Sequence, residues 1–195
     1  MPPASNPIPI VNIDGELVSL GPLDRSMLPL FQRWINDFNV QHRVGLAPGP
    51  MTREAEERWY ESTTNSNGAA FAIYERATMT LVGSTNLHAM DHRHGTATFG
   101  IMIGEPTARG KGYGTEAASL MLDYAFTILD LHSVNLTVAG FNHAAQAAYR
   151  KAGFRECGRL RDHIRFAGKW WDQVWMDCLA HEFKSPVLAR VIDPG

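Results

Sequence analysis

Arg109-Gly110-Lys111-Gly112-Tyr113-Gly114 joins a strand-like segment, Thr96–Ile103, to a stretch whose apolar residues recur at helical spacing. Three alternating glycines permit a tight turn with positive φ and close backbone approach to a ligand. The helix that follows turns its first unbonded N–H groups and the positive end of its dipole toward that turn. Strand, glycine turn and helix start together form an anion cradle, most often one for phosphate. The stretch is neither of the two common nucleotide loops. Its glycines are too closely spaced for a dinucleotide fingerprint, and no Gly-Lys-Ser/Thr closes a longer phosphate loop.

Upstream of the loop, Ala69–Tyr74, Thr80–His88 and Thr96–Ile103 read as strands. Before them, Ile10–Leu20 contains an Asp14-Gly15 turn between apolar stretches and reads as a hairpin or a bent strand. Asp24 is placed as an N-cap, and Met27, Leu28, Phe31, Trp34, Ile35 and Phe38 follow at helical spacing. A second helix is expected over Thr52–Thr63, with Glu54, Glu56 and Glu57 near its positive end. Downstream, Tyr113, Ala117, Leu120, Met121, Tyr124, Ala125 and Ile128 form one helical stripe. A strand over Ser133–Ala139, a helix capped by Asn142 and ended by Gly153, and two strands turning near Ala167-Gly168-Lys169 complete the chain. This order predicts one α/β (α+β) domain over residues 10–183, with residues 1–9 and 184–195 as flexible ends.

Composition narrows the function classes. The 195 residues are 45% hydrophobic and 19% charged, with net charge −2, the profile of an ordinary soluble globular protein. A dedicated nucleic-acid binder usually carries a concentrated basic surplus, so no nucleic-acid partner is expected. No apolar run reaches the roughly 20 residues that a membrane helix needs. The first residues lack the charged and apolar regions of a signal peptide, which points to the cytoplasm. Cys157 and Cys178 are too few for a disulfide framework and read as small buried hydrophobes.

About thirty residues after the glycine loop runs Asn142-His143-Ala144-Ala145-Gln146-Ala147-Ala148-Tyr149-Arg150-Lys151-Ala152-Gly153-Phe154. Loop, Asn…Tyr helix and Gly-Phe exit at this spacing resemble the GNAT superfamily of acyl-CoA-dependent N-acyltransferases. Trp34-Ile35-Asn36-Asp37, Thr115-Glu116-Ala117 and Gly168-Lys169-Trp170-Trp171-Asp172 are similar to its Rim-type branch, named for ribosomal-protein N-acetyltransferases. The resemblance implies a GNAT fold: a single, mostly antiparallel sheet, splayed in the middle and flanked by helices. It implies acetyl transfer from acetyl-CoA, without a metal, to a primary amine of a small molecule or a protein N-terminus. A homodimer is compatible with it.

On the residues, the resemblance implies that Arg109, Gly110, Lys111, Gly112, Tyr113, Gly114 and Thr115 hold the pyrophosphate of coenzyme A. Met102, Ile103 and Gly104 would lie on the strand that pairs with the pantetheine arm and frees one amide for the oxyanion. Asn142 would sit near the pantetheine as well as capping its helix, and Tyr149 would protonate the departing thiolate. Arg150 and Lys151 reach a nucleotide phosphate or stay solvated.

One position departs from the branch. Where its members often carry a glutamate base, this chain has Thr98, which cannot take a proton. His88 leads the substitutes, because imidazole transfers protons near neutral pH. Asp91, His92, His94 and Glu105 are further candidates, although Asp91–Gly95 also has the composition of a plain hairpin turn. His92 and His94 share a strand face, but no third metal ligand accompanies them. On a regular strand, Arg159, Arg161, His163 and Arg165 would share one face and could meet an anionic acceptor or face solvent. Trp171 and Trp175 either flank an acceptor pocket or cover a core edge. Transfer of a larger acyl group such as succinyl, and a non-catalytic acyl-CoA-binding module, remain the alternatives.

Overall fold

A computed structural model describes residues 9–45 and 49–192. The hairpin β1 (Ile13–Asp14) and β2 (Val18–Pro22) is closed by the Gly15 N–H donating to the Val18 carbonyl at 2.9 Å. Then come α1 (Leu28–Ile35), α2 (Phe38–Gln41) and α3 (Arg53–Thr64). Strands β3 (Ala69–Glu75), β4 (Thr80–Asp91) and β5 (Thr96–Ile103) lead through the glycine loop into α4 (Tyr113–Asp123). Next are β6 (Ser133–Ala139), α5 (His143–Ala152), β7 (Arg155–Phe166), β8 (Lys169–Leu179) and α6 (Leu188–Val191).

The strands form one eight-stranded sheet in the order β1-β2-β3-β4-β5-β6-β8-β7. Every neighbouring pair is antiparallel except β5 and β6. That parallel ladder holds only from Thr96↔Ser133 to Thr98↔Asn135, after which the two strands diverge. The expected mostly antiparallel, splayed sheet is therefore present, and the splay opens at Thr98. On one face Ala117, Leu120 and Met121 of α4, with Ala152 of α5 and Phe154 just beyond it, are buried in the core with the strands. On the other, Leu28, Phe31 and Trp34 of α1 pack with Trp59, Tyr60 and Met102.

Local chemistry explains several boundaries. Asn36 ends α1, because its side chain donates to the Gln32 and Met51 carbonyls and accepts from the Met51 N–H. Asp37 then caps α2 by accepting from the Asn39 N–H. This break leaves Phe38 at 72% exposure, outside the apolar stripe to which its spacing assigned it. Thr52 caps α3 as expected, and Asn142 caps α5. The stripe after the loop also loses its last member. Tyr124–Ile128 widens into a π turn, and Ile128 stands 42% exposed.

Three further expectations are corrected. Asp162, at φ 49°, sits in a bulge where β7 gains residues over β8, so alternation fails between Leu160 and Ile164. The cationic stripe is thereby broken: Arg159 pairs with Glu156 and Asp172, while His163 and Arg165 border a separate cavity. Cys157 is exposed at another irregularity in β7, and only Cys178 is buried. The segment from Lys184 was expected to be loose, yet Leu188 is buried and the Val187 and Leu188 N–H groups donate to Asp123. The expected flexible start, residues 1–9, lies outside the described residues except for Pro9.

Candidate active site

The glycine loop takes its shape from two positive φ angles, 75° at Gly110 and 89° at Gly112, where α4 begins. The Thr115 and Glu116 N–H groups return to the Gly112 carbonyl. Among the described residues, the five N–H groups from Gly110 to Gly114 have no protein acceptor. Five neighbouring amides at a helix start form a nest for an anion of pyrophosphate size. Glu116 steadies the nest from behind, accepting the Glu16, Leu17 and Val18 N–H groups at 2.7 Å each. Arg109 is turned back onto the Gly104 carbonyl at 3.3 Å. The Lys111 ammonium lies 3.8 Å from Glu75, which also accepts from the Tyr113 hydroxyl.

A cleft of about 330 Å³ runs from this nest along β5 to α5. Arg109, Gly110, Gly112, Tyr113, Gly114, Thr115, Ile103, Asn142 and Tyr149 line it; Lys111, Met102 and Gly104 do not. Strand geometry supplies the reason. The Gly104 N–H donates to the Val82 carbonyl, so the even residues of β5 turn their backbone groups toward β4. Ile101 and Ile103 turn theirs toward the diverging β6, where no strand pairs with them. The open edge is thus carried by Ile101 and Ile103, and Met102 and Gly104 belong to the opposite side. Gly104 is a packing glycine: a Cβ there would stand 2.0 Å from the Trp34 indole.

Tyr149 lines both this cleft and a second cavity of about 900 Å³ beyond the splay. Its ring stands edge-on to Phe99 and Phe154, each at 6.0 Å. Among the described residues its hydroxyl has no hydrogen-bond partner, and burial pushes its pKa up to about 12. Asn142 accepts from the Ala145 N–H and donates to the Arg43 carbonyl at 3.4 Å. Thr98 sits where the ladder ends, bonded to Asn135, and His88 is its cross-strand partner on β4. Burial lowers the His88 pKa, which favours neutral imidazole. Asp91, His92 and His94 form an exposed turn away from the cavities, with the His94 N–H bonded to Asp91. Glu105 pairs with Arg33 at 3.4 Å, outside the cavities. Among the described residues, no group of three His, Cys, Asp or Glu side chains could hold a metal.

Residues 18–155 match the family model described as the Acetyltransferase (GNAT) domain. The chain belongs to the GNAT acetyltransferase family. It is 36% identical over 181 residues to the spermidine N(1)-acetyltransferase of Escherichia coli K12, covering 91% of this chain and 92% of that protein. It is 31% identical over 166 residues to the Vibrio cholerae spermidine N(1)-acetyltransferase, covering 85% and 95%. The structure of a Vibrio cholerae spermidine N-acetyltransferase with CoA and spermine superposes with a TM-score of 0.78 at 28% identity, over 86% of this chain and 98% of that one.

As a GNAT enzyme, the protein transfers an acetyl group from acetyl-CoA to a primary amine. The amide nest and the open β5 edge are what a diphosphate on an amide-bearing arm requires, so the residues present fit coenzyme A. Thr98, where the resemblance led to the expectation of a glutamate base, carries no carboxylate, and the structure places one elsewhere among the cavities. Glu56 of α3 is 6% exposed and lines a third cavity, of about 550 Å³, together with His88, Asn86, Gly100 and Ile101. Burial alone raises its pKa. Sequence reasoning assigned Glu56 to the helix dipole along with Glu54 and Glu57. The available signal was its place one turn before Tyr60 and three residues before Trp59, on the inward side of α3.

Proposed function

We propose that this GNAT enzyme acts in the cytoplasm on a small-molecule alkyl amine, the polyamine class foremost, with Tyr149 as the leaving-group acid. One observation carries the reading. The unpartnered Tyr149 hydroxyl and the unpaired Ile101–Ile103 edge face one cleft that begins at the five-amide nest. The identity to polyamine acetyltransferases over nearly the whole chain supports the acceptor class. Among the described residues, no helix is long and apolar enough to cross a membrane. The Rim-type likeness stays a matter of the Trp34–Asp37 and Gly168–Asp172 motifs, and an acceptor of protein N-terminal type is the second reading.

Acetyl-CoA supplies an activated thioester. The amine nitrogen attacks the carbonyl carbon; the N–C bond forms and the C–S bond breaks. An N–H of the open β5 edge is the donor for the carbonyl oxygen as charge develops there. Tyr149, held protonated by burial, gives its proton to the sulfur. The amine's proton leaves toward His88, an exposed imidazole that borders both the Glu56 cavity and the cavity lined by Tyr149, and whose pKa partial desolvation lowers. The Thr98 hydroxyl cannot take that proton.

Thiol release from acetyl-CoA across spermidine, spermine, simple monoamines and a short peptide tests the reading. Spermidine and spermine should exceed the peptide in kcat/KM. Tyr149→Phe should lower kcat by about 10²-fold or more, with the KM for acetyl-CoA nearly unchanged. An unaltered kcat removes Tyr149 from the mechanism, and turnover of the peptide alone replaces the acceptor class.

A further inference from the structure

Glu56 is a lone carboxylate at 6% exposure. Neither a hydrogen bond nor a neighbouring charge perturbs it, only burial. Burying an unpaired carboxylate is costly, and the natural relief is a bound cation. Its cavity is built for one. Ser84, Asn86, His88 and Gly100 of β4 and β5 form the floor, and the Trp59 indole stands on the α3 side. No Lys or Arg lines it. The cavity beyond the splay has the reverse character, with His42, Arg43, His163 and Arg165 and no carboxylate among its lining residues. An ammonium group is directed by this contrast toward α3.

The position of Tyr149 decides which nitrogen of the acceptor that is. Tyr149 does not border the Glu56 cavity. The Glu56 cavity and the nest cleft share only Val44 and Ile101. Met102, on the Glu56 side, points to the face covered by α1 and α3, whereas Tyr149 packs on the α4 and α5 face. The carboxylate is therefore set apart from the leaving group, on the far side of the β5 edge. We propose that Glu56 seats a second ammonium group of the acceptor, not the nitrogen that is acetylated. This rests on the polyamine reading above. Asn86 and Ser84 offer oxygen acceptors for the remaining N–H groups, and the Trp59 face adds a cation–π contact. Glu56 is then a specificity residue: it rewards a diamine over a monoamine of equal length.

The experiment compares 1,4-diaminobutane, spermidine and butylamine on the wild type, Glu56→Gln and Glu56→Asp. Butylamine keeps the reacting amine and chain length but lacks the second charge. The wild type should prefer the diamine by about 30-fold or more in kcat/KM, as expected of a desolvated charge pair. Glu56→Gln should raise the KM of both polyamines by about 10–100-fold. Its kcat, its KM for acetyl-CoA and its butylamine kinetics should stay within about twofold of wild type. Glu56→Asp should retain part of the preference, and unchanged butylamine turnover shows that both variants fold. Equal wild-type use of diamine and monoamine overturns the proposal, as does a Glu56→Gln loss shared equally by butylamine. If no amine is acetylated while CoA still binds, the proposed function falls, and a spermidine-induced rise in Tm then decides about Glu56. It must be present in the wild type and absent in Glu56→Gln.

Discussion

Tyr149 and Glu56 are both acids whose pKa burial raises, with opposite consequences for the site. The Tyr149 phenol, pushed up to about 12, keeps its proton over the whole range of ordinary assays and stays a donor. The kcat–pH profile should accordingly show no falling alkaline limb due to Tyr149 below about pH 11. A descending limb near pH 9 that disappears in Tyr149→Phe would contradict a buried, protonated phenol. For Glu56 the raised value means that the folded state favours the neutral acid more than the unfolded state does. Its stabilising influence is complete below the unfolded value, near 4.5, and is lost as pH rises through the folded value. Above that point the carboxylate is a net cost. Without ligand, Glu56→Gln should therefore melt above the wild type at pH 7 to 8, with the gap closing below about pH 4.5. His88, the other titratable group of that cavity, is unchanged by the substitution and shifts both proteins alike. A lower Tm for Glu56→Gln at neutral pH would mean that the carboxylate has a protein partner and is structural. Tyr149 was singled out in the sequence by the resemblance of the Asn142–Phe154 stretch to the GNAT pattern. Glu56 was not: three glutamates crowd the start of α3, and only the sheet beneath decides which one turns inward.

At the scale of elements, the glycine loop separates conformational need from ligand space. Gly112 sits at φ 89°, and an added Cβ would stand 3.2 Å from a Leu17 methyl group. Gly112→Ala should thus cost about 1–2 kcal/mol of stability through left-handed strain. Gly114 is different. It lies inside α4, and its Cβ would meet only Ile103 at 3.6 Å, an ordinary contact. Gly114→Ala should leave the apo Tm unchanged or slightly higher, since alanine favours the helix by about 0.5–1 kcal/mol. The same methyl group enters the cleft, so the Tm rise produced by CoA should shrink markedly in Gly114→Ala. A CoA-induced shift equal to that of the wild type would show that Gly114 does not border the bound coenzyme. Element boundaries were legible where a residue imposes them: Thr52 and Asn142 as caps, Gly153 as an exit, the turn before Lys169. The break at Asn36, the bulge at Asp162 and the π turn over Tyr124–Ile128 were not. Each is set by partners distant in sequence or by packing, such as Met51 for Asn36. That is also why Phe38 kept a helical spacing on paper and lies exposed in the fold.

Over the whole molecule, the sheet is two antiparallel halves joined by three residue pairs, Thr96–Thr98 with Ser133–Asn135. So short a ladder makes the packing behind it decisive, and the end of the chain contributes to that packing. Asp123, the last residue of α4, is fully buried. It accepts from the Thr127 hydroxyl and from the Val187 and Leu188 N–H groups at 2.8, 3.0 and 2.9 Å. Leu188 follows into the core beside it, and α6 packs against the π turn. Removing residues 185–195 would strip two charge-assisted hydrogen bonds from a buried carboxylate and uncover apolar surface. Together these losses should cost about 3–5 kcal/mol. For a chain of this length that corresponds to a Tm fall of roughly 6–20 °C. A double-mutant cycle isolates the contact. Asp123→Asn should be clearly destabilising in the full chain and much less so in the truncated one, because the truncation has already removed its two N–H donors. Additive losses would show that the cost of Asp123→Asn comes from its Thr127 contact and not from the chain end. A truncated chain with the full Tm would return this segment to the status of a loose tail, and the core behind the splay would have to be held by α4 and α5 alone.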